Sequence, residues 1–182
     1  EQRKEETHNT ILNNNIFGFD INPLAVQLTA TNLVLKNLNS KTNEIHILEK
    51  DSLSRSLNNW LHNINTNLNK EKIQTSFKTN FPEKYDIVVG NPPYFNLKIE
   101  TIKKRYSNQD FSGVISGKTN IASLFLKKYI DILEDGGYLG FVVPKALTYV
   151  EPWEATRNFI LQNCQIISIF DLREAFEDVK LE

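Results

Sequence analysis

The chain reads YDIVVGNPPY from Tyr85 to Tyr94, and this stretch predicts a buried strand followed by a rigid loop. Its first half is mostly apolar and β-branched, which is typical of a strand covered on both faces in a parallel sheet. Gly90 and the two prolines must end the strand, because proline has no N–H group to donate to a neighbouring strand. We therefore expect a strand over residues 85–89 and a loop over residues 90–94.

Strands and helices are predicted to alternate on both sides of this stretch. Apolar runs predict strands over 16–20, 44–48, 138–143 and 165–170, and helical spacing predicts helices over 23–38, 121–132 and 152–163. The polar residues 95–118 indicate a loop, and residues 57–70 indicate a peripheral helix or insertion. The alternation predicts an α/β fold with a doubly wound, mostly parallel sheet, and we expect residues 1–182 to form a single domain.

Two of these helices have features that predict where they pack and where they end. The first helix has leucines close to helical spacing, at Leu24, Leu28, Leu35 and Leu38, so we expect this stripe to pack on the sheet. The second helix is expected to stop at Gly136-Gly137, because glycine is favoured just beyond the last helical residue.

Composition and charge argue against several classes of protein. The net charge is −1, which argues against a self-sufficient nucleic-acid binder, since duplex DNA is held largely through Lys and Arg on its phosphates. The basic cluster within 98–105 is interpreted as solvated surface. No apolar run approaches the roughly 20 residues of a membrane-spanning helix, so we expect no membrane partner. The only cysteine, Cys164, cannot form an internal disulfide, which predicts a reducing, cytoplasmic setting.

Four residues are predicted to meet at one edge of the sheet. In a doubly wound sheet the ligand binds beyond the carboxyl ends of the strands. Asp20, Asp51, Asn91 and Pro144 each follow a predicted strand. We therefore expect a binding site at this edge, and we assign no metal site to the chain.

The loop from Asn91 to Tyr94 is the most informative part of this edge. Each proline fixes its own backbone and favours an extended predecessor, so the Asn91 side chain and the Pro92 carbonyl become two rigidly aimed acceptors. Two acceptors on the hydrogens of an aromatic amine favour the pyramidal nitrogen that attacks a methyl donor. Tyr94 adds a ring face for a base taken out of the helical stack. The alternative interpretation is an ordinary strand-ending turn with two prolines.

Two acidic residues at the same edge are candidates for binding a nucleoside. Asp20 can accept hydrogen bonds from both hydroxyls of a ribose. Asp51 can accept from the amino group of an adenine, and the backbone N–H of Ser52 can donate to the adenine ring. For Asp20, a helix-capping acid is an equal alternative.

With these residues in place, the chain resembles the N6-adenine DNA methyltransferases of restriction-modification systems over most of its length. The matching segments follow the order in which cofactor motifs precede the catalytic one, and they are FGFDINPLAV (17–26), KDSL (50–53), YDIVVGNPPY (85–94), GKTNIASLFLKKYIDIL (117–133), GGYLGFVVPKAL (136–147) and IFDLREAFEDV (169–179). The resemblance implies a Rossmann-like fold, S-adenosylmethionine as cofactor, and methyl transfer to N6 of a flipped adenine in double-stranded DNA.

The resemblance also implies roles for individual residues. The catalytic residues would be Asn91, Pro92, Pro93 and Tyr94. Phe176 would stack with Tyr94 on the flipped base. The residues that bind S-adenosylmethionine would be Asp20, Ile21, Asp51 and Ser52. Lys118 and Asn120 would lie near the substrate, although Asn120 is equally well explained as a helix N-cap.

Two features of this family do not occur in the sequence. One is the Gly-rich loop that lets the backbone approach the methionine part of the cofactor, and the other is a target-recognition domain. Methionine is also absent, including at position 1. We therefore expect a fragment of the catalytic domain, incomplete at the N-terminal side of its sheet, that binds the cofactor weakly or not at all. Pairing with a second copy of the chain is one way for such a sheet to close.

Two alternative functions are compatible with the same residues. Planar amides and other aromatic amines can use an Asn-Pro-Pro-Tyr loop, so a protein-glutamine or RNA-base methyltransferase is the nearest alternative. The proline that closes the GFVVP strand, Pro144, favours the DNA enzymes in the resemblance. The second alternative is a non-catalytic scaffold within a larger restriction enzyme, and the intact loop argues against it.

Overall fold

The computed structural model describes residues 2–36, 45–54, 81–106, 110–115 and 117–172. The chain forms two compact units, Glu1–Phe81 and Pro82–Glu182. The predicted helix or insertion at 57–70, and Phe176, lie outside the described residues.

In the described residues of the first unit there are two helices and one parallel pair of strands. Its elements are α1 (Gln2–Asn14), β1 (Phe17–Asp20), α2 (Pro23–Leu35) and β2 (His46–Glu49). β1 and β2 run parallel, with Phe17 opposite His46 and Asp20 opposite Glu49. The predicted strands at 16–20 and 44–48 are therefore confirmed to within two residues. Helix α1 has no counterpart among the sequence predictions.

Aromatic side chains form much of the core of the first unit. The rings of Phe17 and His46 are stacked, with centroids 5.1 Å apart and planes 13° from parallel. Phe81 meets Phe17 edge-on at 5.6 Å and also contacts Phe19 at 5.5 Å. The Nε2 atom of His46 lies 2.6 Å from the carbonyl oxygen of Asn13, which joins β2 to the end of α1. His46 is thus a core residue that packs by its ring and satisfies its polar edge.

Helix α2 begins as the sequence predicts, but its leucine stripe is not buried. Leu24, Leu28 and Leu35 are 59%, 56% and 54% exposed, and α2 contributes no buried residue. The expectation that this stripe packs on the sheet is therefore wrong for the described residues. Among the described residues, the sheet beside α2 has two strands about 5 Å apart, a face narrower than a helix of about 10 Å with its side chains.

The described part of the second unit contains a parallel strand pair, an antiparallel strand pair and three α-helices. Its elements are β3 (Tyr85–Gly90), β4 (Asn96–Lys98), α3 (Ile99–Arg105), β5 (Lys118–Asn120), α4 (Ile121–Asp131), β6 (Leu133–Phe141) and α5 (Glu154–Asn163). β3 pairs with β6 in parallel, and β4 pairs with β5 antiparallel. The prediction of a plain loop over 95–118 is wrong, because this stretch contains β4, α3 and the first residue of β5.

The glycine pair at 136–137 lies inside strand β6 and does not end a helix. Helix α4 stops at Asp131, and β6 begins two residues later. The register between β3 and β6 shifts between Tyr85 and Ile87, and Gly136 has φ +81°, a conformation that favours glycine. A Cβ on Gly137 would lie 2.8 Å from the carbonyl oxygen of Asp86. The pair therefore serves an irregularity of the ladder, which corrects the helix-stop prediction.

The predicted strand at 165–170 is also wrong. Residues 164–172 form no strand, and Ile167, Ile169 and Phe170 are 75%, 71% and 79% exposed. A strand requires a partner for its backbone groups, and among the described residues no strand pairs with this segment. The described sheets each have two strands. The α/β class and the parallel pairing are confirmed, whereas the described residues contain no continuous doubly wound sheet.

The core of the second unit is built around α4, which contacts α5 and β6. The buried apolar side chains of its described residues are Val88, Ile102, Tyr106, Phe111, Val114, Ile121, Ala122, Leu124, Leu126 and Trp153. Helices α4 and α5 are also joined by a buried polar contact, in which the Thr156 hydroxyl lies 2.8 Å from that of Ser123. This packing holds the elements that follow the Asn91–Tyr94 loop.

Candidate active site

The loop from Asn91 to Tyr94 leaves the carboxyl end of β3, as predicted. Beyond β3 the parallel pairing continues for one more bond, from the N–H of Val142 to the carbonyl of Gly90 at 3.1 Å. A Cβ on Gly90 would lie 3.0 Å from the Phe141 ring, so the neighbouring strand approaches closely at the point where the loop begins. Pro92 is buried, while Asn91 and Pro93 are exposed. The loop is therefore anchored at its base with its polar end accessible.

The hydroxyl of Tyr94 closes this loop onto the end of the sheet. Its oxygen lies 2.6 Å from Oδ1 of Asn91 and 2.9 Å from the carbonyl oxygen of Val142. Burial raises the pKa of Tyr94 above its usual value, so the hydroxyl keeps its hydrogen at neutral pH. Tyr94 is 36% exposed, which leaves part of its ring accessible. The structure thus brings Asn91, Tyr94 and the end of β6 together in one cluster.

The residues after the loop form β4, which pairs with β5 directly before helix α4 begins. The carbonyl of Phe95 accepts a hydrogen bond from the N–H of Ile121 at 2.9 Å. Oδ1 of Asn120 accepts from the N–H of Ala122 at 3.1 Å, and its Nδ2 lies 3.4 Å from Oδ1 of Asn96. Asn120 is therefore a helix N-cap, as one of its two interpretations holds. Lys118 is exposed and lies opposite Lys98 in the antiparallel register.

An ion pair brings the segment before Phe176 to the carboxyl end of β6. The Nζ atom of Lys145 lies 2.8 Å from Oδ2 of Asp171. Lys145 follows Pro144 at the end of β6, and Asp171 lies five residues before Phe176 in the chain. Both ionic side chains are substantially exposed, so the pair is worth at most about 1 kcal/mol in stability. The ion pair matters because it holds Asp171 beside the end of β6.

Asp20, the first candidate for cofactor binding, lies at the carboxyl end of β1. Its Oδ1 accepts a hydrogen bond from the N–H of Asn22 at 2.7 Å, and Oδ1 of Asn22 accepts from the N–H of Leu24 at 2.9 Å. Asn22, not Asp20, is thus the N-cap of α2. Asp20 is exposed, and Ile21 beside it is also exposed. One carboxylate oxygen of Asp20 shapes the turn, which leaves Oδ2 for a ligand.

Asp51 and Ser52 lie just beyond β2 in a tight turn. Oδ1 of Asp51 accepts from the N–H of Leu53 at 3.0 Å, and the carbonyl of Asp51 accepts from the N–H of Ser54 at 2.9 Å. Leu53 is fully buried and anchors the turn, whereas Asp51 and Ser52 are half-buried. Because β1 and β2 are parallel, this turn and Asp20 lie at the same edge, where the N–H of Lys50 donates to the carbonyl of Asp20 at 2.7 Å. Two carboxylates and an N–H at one edge fit the hydroxyls of a ribose and the polar edge of an adenine.

The candidate residues therefore fall into two groups, while Phe176 lies outside the described residues. Asp20, Ile21, Asp51 and Ser52 share an edge of the first unit. The loop from Asn91 to Tyr94 belongs to the second unit.

Sequence reasoning missed the contacts that hold the loop. The carbonyl of Val142 accepts from a tyrosine side chain, and a backbone carbonyl carries no signal in residue type. The ion pair between Lys145 and Asp171 was also missed, although an acid directly after the apolar run that ends at Phe170 marks Asp171 as a candidate for such a pair. Among the described residues, no three His, Cys, Asp or Glu side chains are grouped to hold a metal ion. Within that same part of the chain, every helix is too short or too polar to cross a membrane.

Acids beyond two parallel strands and an Asn-Pro-Pro-Tyr loop beyond a third are the features in which the sequence resembles a methyltransferase. A family model described as Eco57I restriction-modification methylase matches residues 14–177. The chain belongs to this family of restriction-modification methylases, which confirms the resemblance found in the sequence.

Curated relatives agree with the family at low identity. The Type II methyltransferase M.VspI of Vibrio sp. (strain 343) is 24% identical over 164 residues, which cover 90% of this chain and 33% of that protein. The Type II restriction enzyme and methyltransferase RM.Eco57I of Escherichia coli is 26% identical over 179 residues, covering 88% of this chain and 17% of that protein. For the Type II methyltransferase M.BstVI of Geobacillus stearothermophilus the identity is 27% over 139 residues, covering 70% and 23%. The chain thus spans a third or less of the length of these relatives.

Proposed function

We propose that the protein uses S-adenosylmethionine to methylate N6 of adenine in double-stranded DNA, as the methyltransferase of a restriction-modification enzyme. The observation that supports this most is the anchored loop beyond β3, where Asn91 is held against Tyr94 at 2.6 Å and Pro92 is buried. Oδ1 of Asn91 and the carbonyl of Pro92 would accept the two hydrogens of the amine. That arrangement would localise the nitrogen lone pair, which is otherwise delocalised into the aromatic ring.

The cofactor would be held by the acids of the first unit. Oδ2 of Asp20 would accept from the ribose hydroxyls, Asp51 would accept from the adenine amino group, and the N–H of Ser52 would donate to the adenine ring. Ile21, exposed beside Asp20, would contact the cofactor through its apolar side chain. S-adenosylmethionine, when bound, supplies the methyl group. We propose that both units belong to one catalytic domain.

The target adenine would be read outside the helical stack, between aromatic side chains. The partly exposed ring of Tyr94 offers one face, and Phe176 would offer the second. The pairing of Lys145 with Asp171 supports this role, because five residues of chain span at most about 18 Å. Asp171 itself lies close to the end of β6, five residues before Phe176 in the chain. Grip on the DNA would come largely from other parts of the full-length protein, since the net charge of this chain is −1.

Identification of the methylated product tests the proposal. The full-length protein is incubated with S-adenosylmethionine and duplex DNA, and the DNA is digested to nucleosides for mass spectrometry. N6-methyl-2′-deoxyadenosine in the digest, lost with Asn91→Ala, is the expected result. A parallel incubation with RNA and with protein extract separates the alternatives. Methylcytosine alone, methylated RNA or methylated glutamine would contradict the adenine assignment.

A further inference from the structure

We propose that the hydroxyl of Tyr94 sets the orientation of the Asn91 carboxamide, so that Oδ1 faces the substrate amine. This role is separate from stacking by the Tyr94 ring, and it rests on the proposed function of Asn91. The hydroxyl acts through Asn91, which makes Tyr94 a positioning residue in this respect.

The Tyr94 hydroxyl has one hydrogen for two short oxygen contacts. That oxygen lies 2.6 Å from Oδ1 of Asn91 and 2.9 Å from the carbonyl oxygen of Val142. Both neighbours are carbonyl oxygens, which only accept hydrogen bonds, and a tyrosine hydroxyl has a single hydrogen to donate. One of the two short contacts is therefore left without a hydrogen between its oxygens.

Rotation of the carboxamide by half a turn removes this conflict. The rotation exchanges Oδ1 and Nδ2 at nearly the same positions, because the two ends of a carboxamide have almost the same shape. Nδ2 of Asn91 then donates to the Tyr94 oxygen, and the Tyr94 hydroxyl donates to the carbonyl of Val142. Every polar atom in this chain of hydrogen bonds has a partner of the correct kind.

The rotated orientation has a direct consequence for the amine. Oδ1 of Asn91 now points away from Tyr94 and is available as the acceptor that the proposed function requires. In the opposite orientation Nδ2 would face the amine, and two donors would oppose each other. Donation from Nδ2 to Tyr94 also polarises the carboxamide and strengthens Oδ1 as an acceptor. Since burial raises the pKa of Tyr94, its hydroxyl remains a donor to Val142 at neutral pH.

Nuclear magnetic resonance tests the orientation without any methyl transfer. The full-length protein is labelled with ¹⁵N-asparagine, and the side-chain N–H signals of Asn91 are compared between wild type and Tyr94→Phe. The substitution keeps the ring and removes only the hydroxyl. We expect one Asn91 side-chain proton to move upfield and to lose its protection from exchange with water. If both protons keep their shifts and exchange rates, Nδ2 does not donate to Tyr94 and the proposal is overturned.

Single-turnover kinetics test the consequence for catalysis. Tyr94→Phe is expected to slow methyl transfer roughly 3- to 10-fold, with DNA affinity and extrusion of a 2-aminopurine base unchanged. In an Asn91→Asp background the same substitution should have no effect, because the two oxygens of a carboxylate are equivalent. Tyr149→Phe, on an exposed residue outside this cluster, is the matched control. An equal rate in Tyr94→Phe and wild type overturns the proposal, whereas a product other than N6-methyl-2′-deoxyadenosine contradicts the proposed function instead.

Discussion

Replacement of Asp20 by asparagine is expected to weaken cofactor binding while leaving the turn after β1 intact. Oδ1 of Asp20 is committed to the N–H of Asn22 at 2.7 Å, and an asparagine oxygen can make the same bond. The second oxygen becomes an NH₂ group that cannot accept from a ribose hydroxyl. Loss of a hydrogen bond to a charged group costs about 1.5 to 3 kcal/mol, so the Kd for S-adenosylmethionine should rise roughly 10- to 150-fold.

Isothermal titration of the full-length protein with S-adenosylmethionine measures this change. The matched control is Asn22→Ala, which removes the side-chain cap on Leu24 and should cost about 1 kcal/mol of stability. Its cofactor Kd should stay near the wild-type value once the protein is folded. Cofactor binding by Asp20→Asn that is indistinguishable from wild type would refute the assignment of Oδ2 to the ribose.

Three further predictions concern the second unit. Burial raises the pKa of Tyr85 to about 12, so the neutral hydroxyl contributes to the free energy of unfolding below pH 10, and this contribution is lost as the pH rises from 10 to 12. Tyr85→Phe should remove this loss from a plot of the free energy of unfolding against pH. Lys98→Glu should stabilise the antiparallel pair of β4 and β5 by about 0.2 to 1 kcal/mol in low salt, because residue 98 lies opposite Lys118 and the change replaces a repulsive pair of charges with an attractive one. Thr156→Val should cost about 1 to 3 kcal/mol in urea unfolding, with partial recovery on adding Ser123→Ala, since the single change strands a buried hydroxyl.

Features set by neighbouring residues in the chain could be predicted from the sequence. The start of α2 follows from Asn22 and Pro23, and the start of α4 follows from Asn120, because a cap and a fixed proline backbone act within a few residues. The end of β3 at Gly90 follows in the same way from two prolines. The candidate loop was placed correctly for this reason.

Features that depend on distant partners could not be predicted. The apolar run at 165–170 has the composition of a strand, but a strand forms only where another strand offers its backbone, and periodicity does not report that. The exposed leucines of α2 make the same point for a helix face. The contacts of the Tyr94 hydroxyl join residues 3 and 48 positions apart in the chain. The more distant partner is a backbone carbonyl, which no residue type marks.

The most direct test of the account is a comparison of methyl transfer and cofactor binding in the Asn91→Ala variant of the full-length protein. Asn91 is assigned to the amine and lies in the second unit, whereas the acids assigned to the cofactor lie in the first. Single-turnover transfer to duplex DNA should therefore fall by about 100-fold or more, as when one preorganised hydrogen-bonding group is removed from an active site. The Kd for S-adenosylmethionine should stay within a few-fold of wild type. Transfer at a near wild-type rate would contradict the catalytic role of the loop.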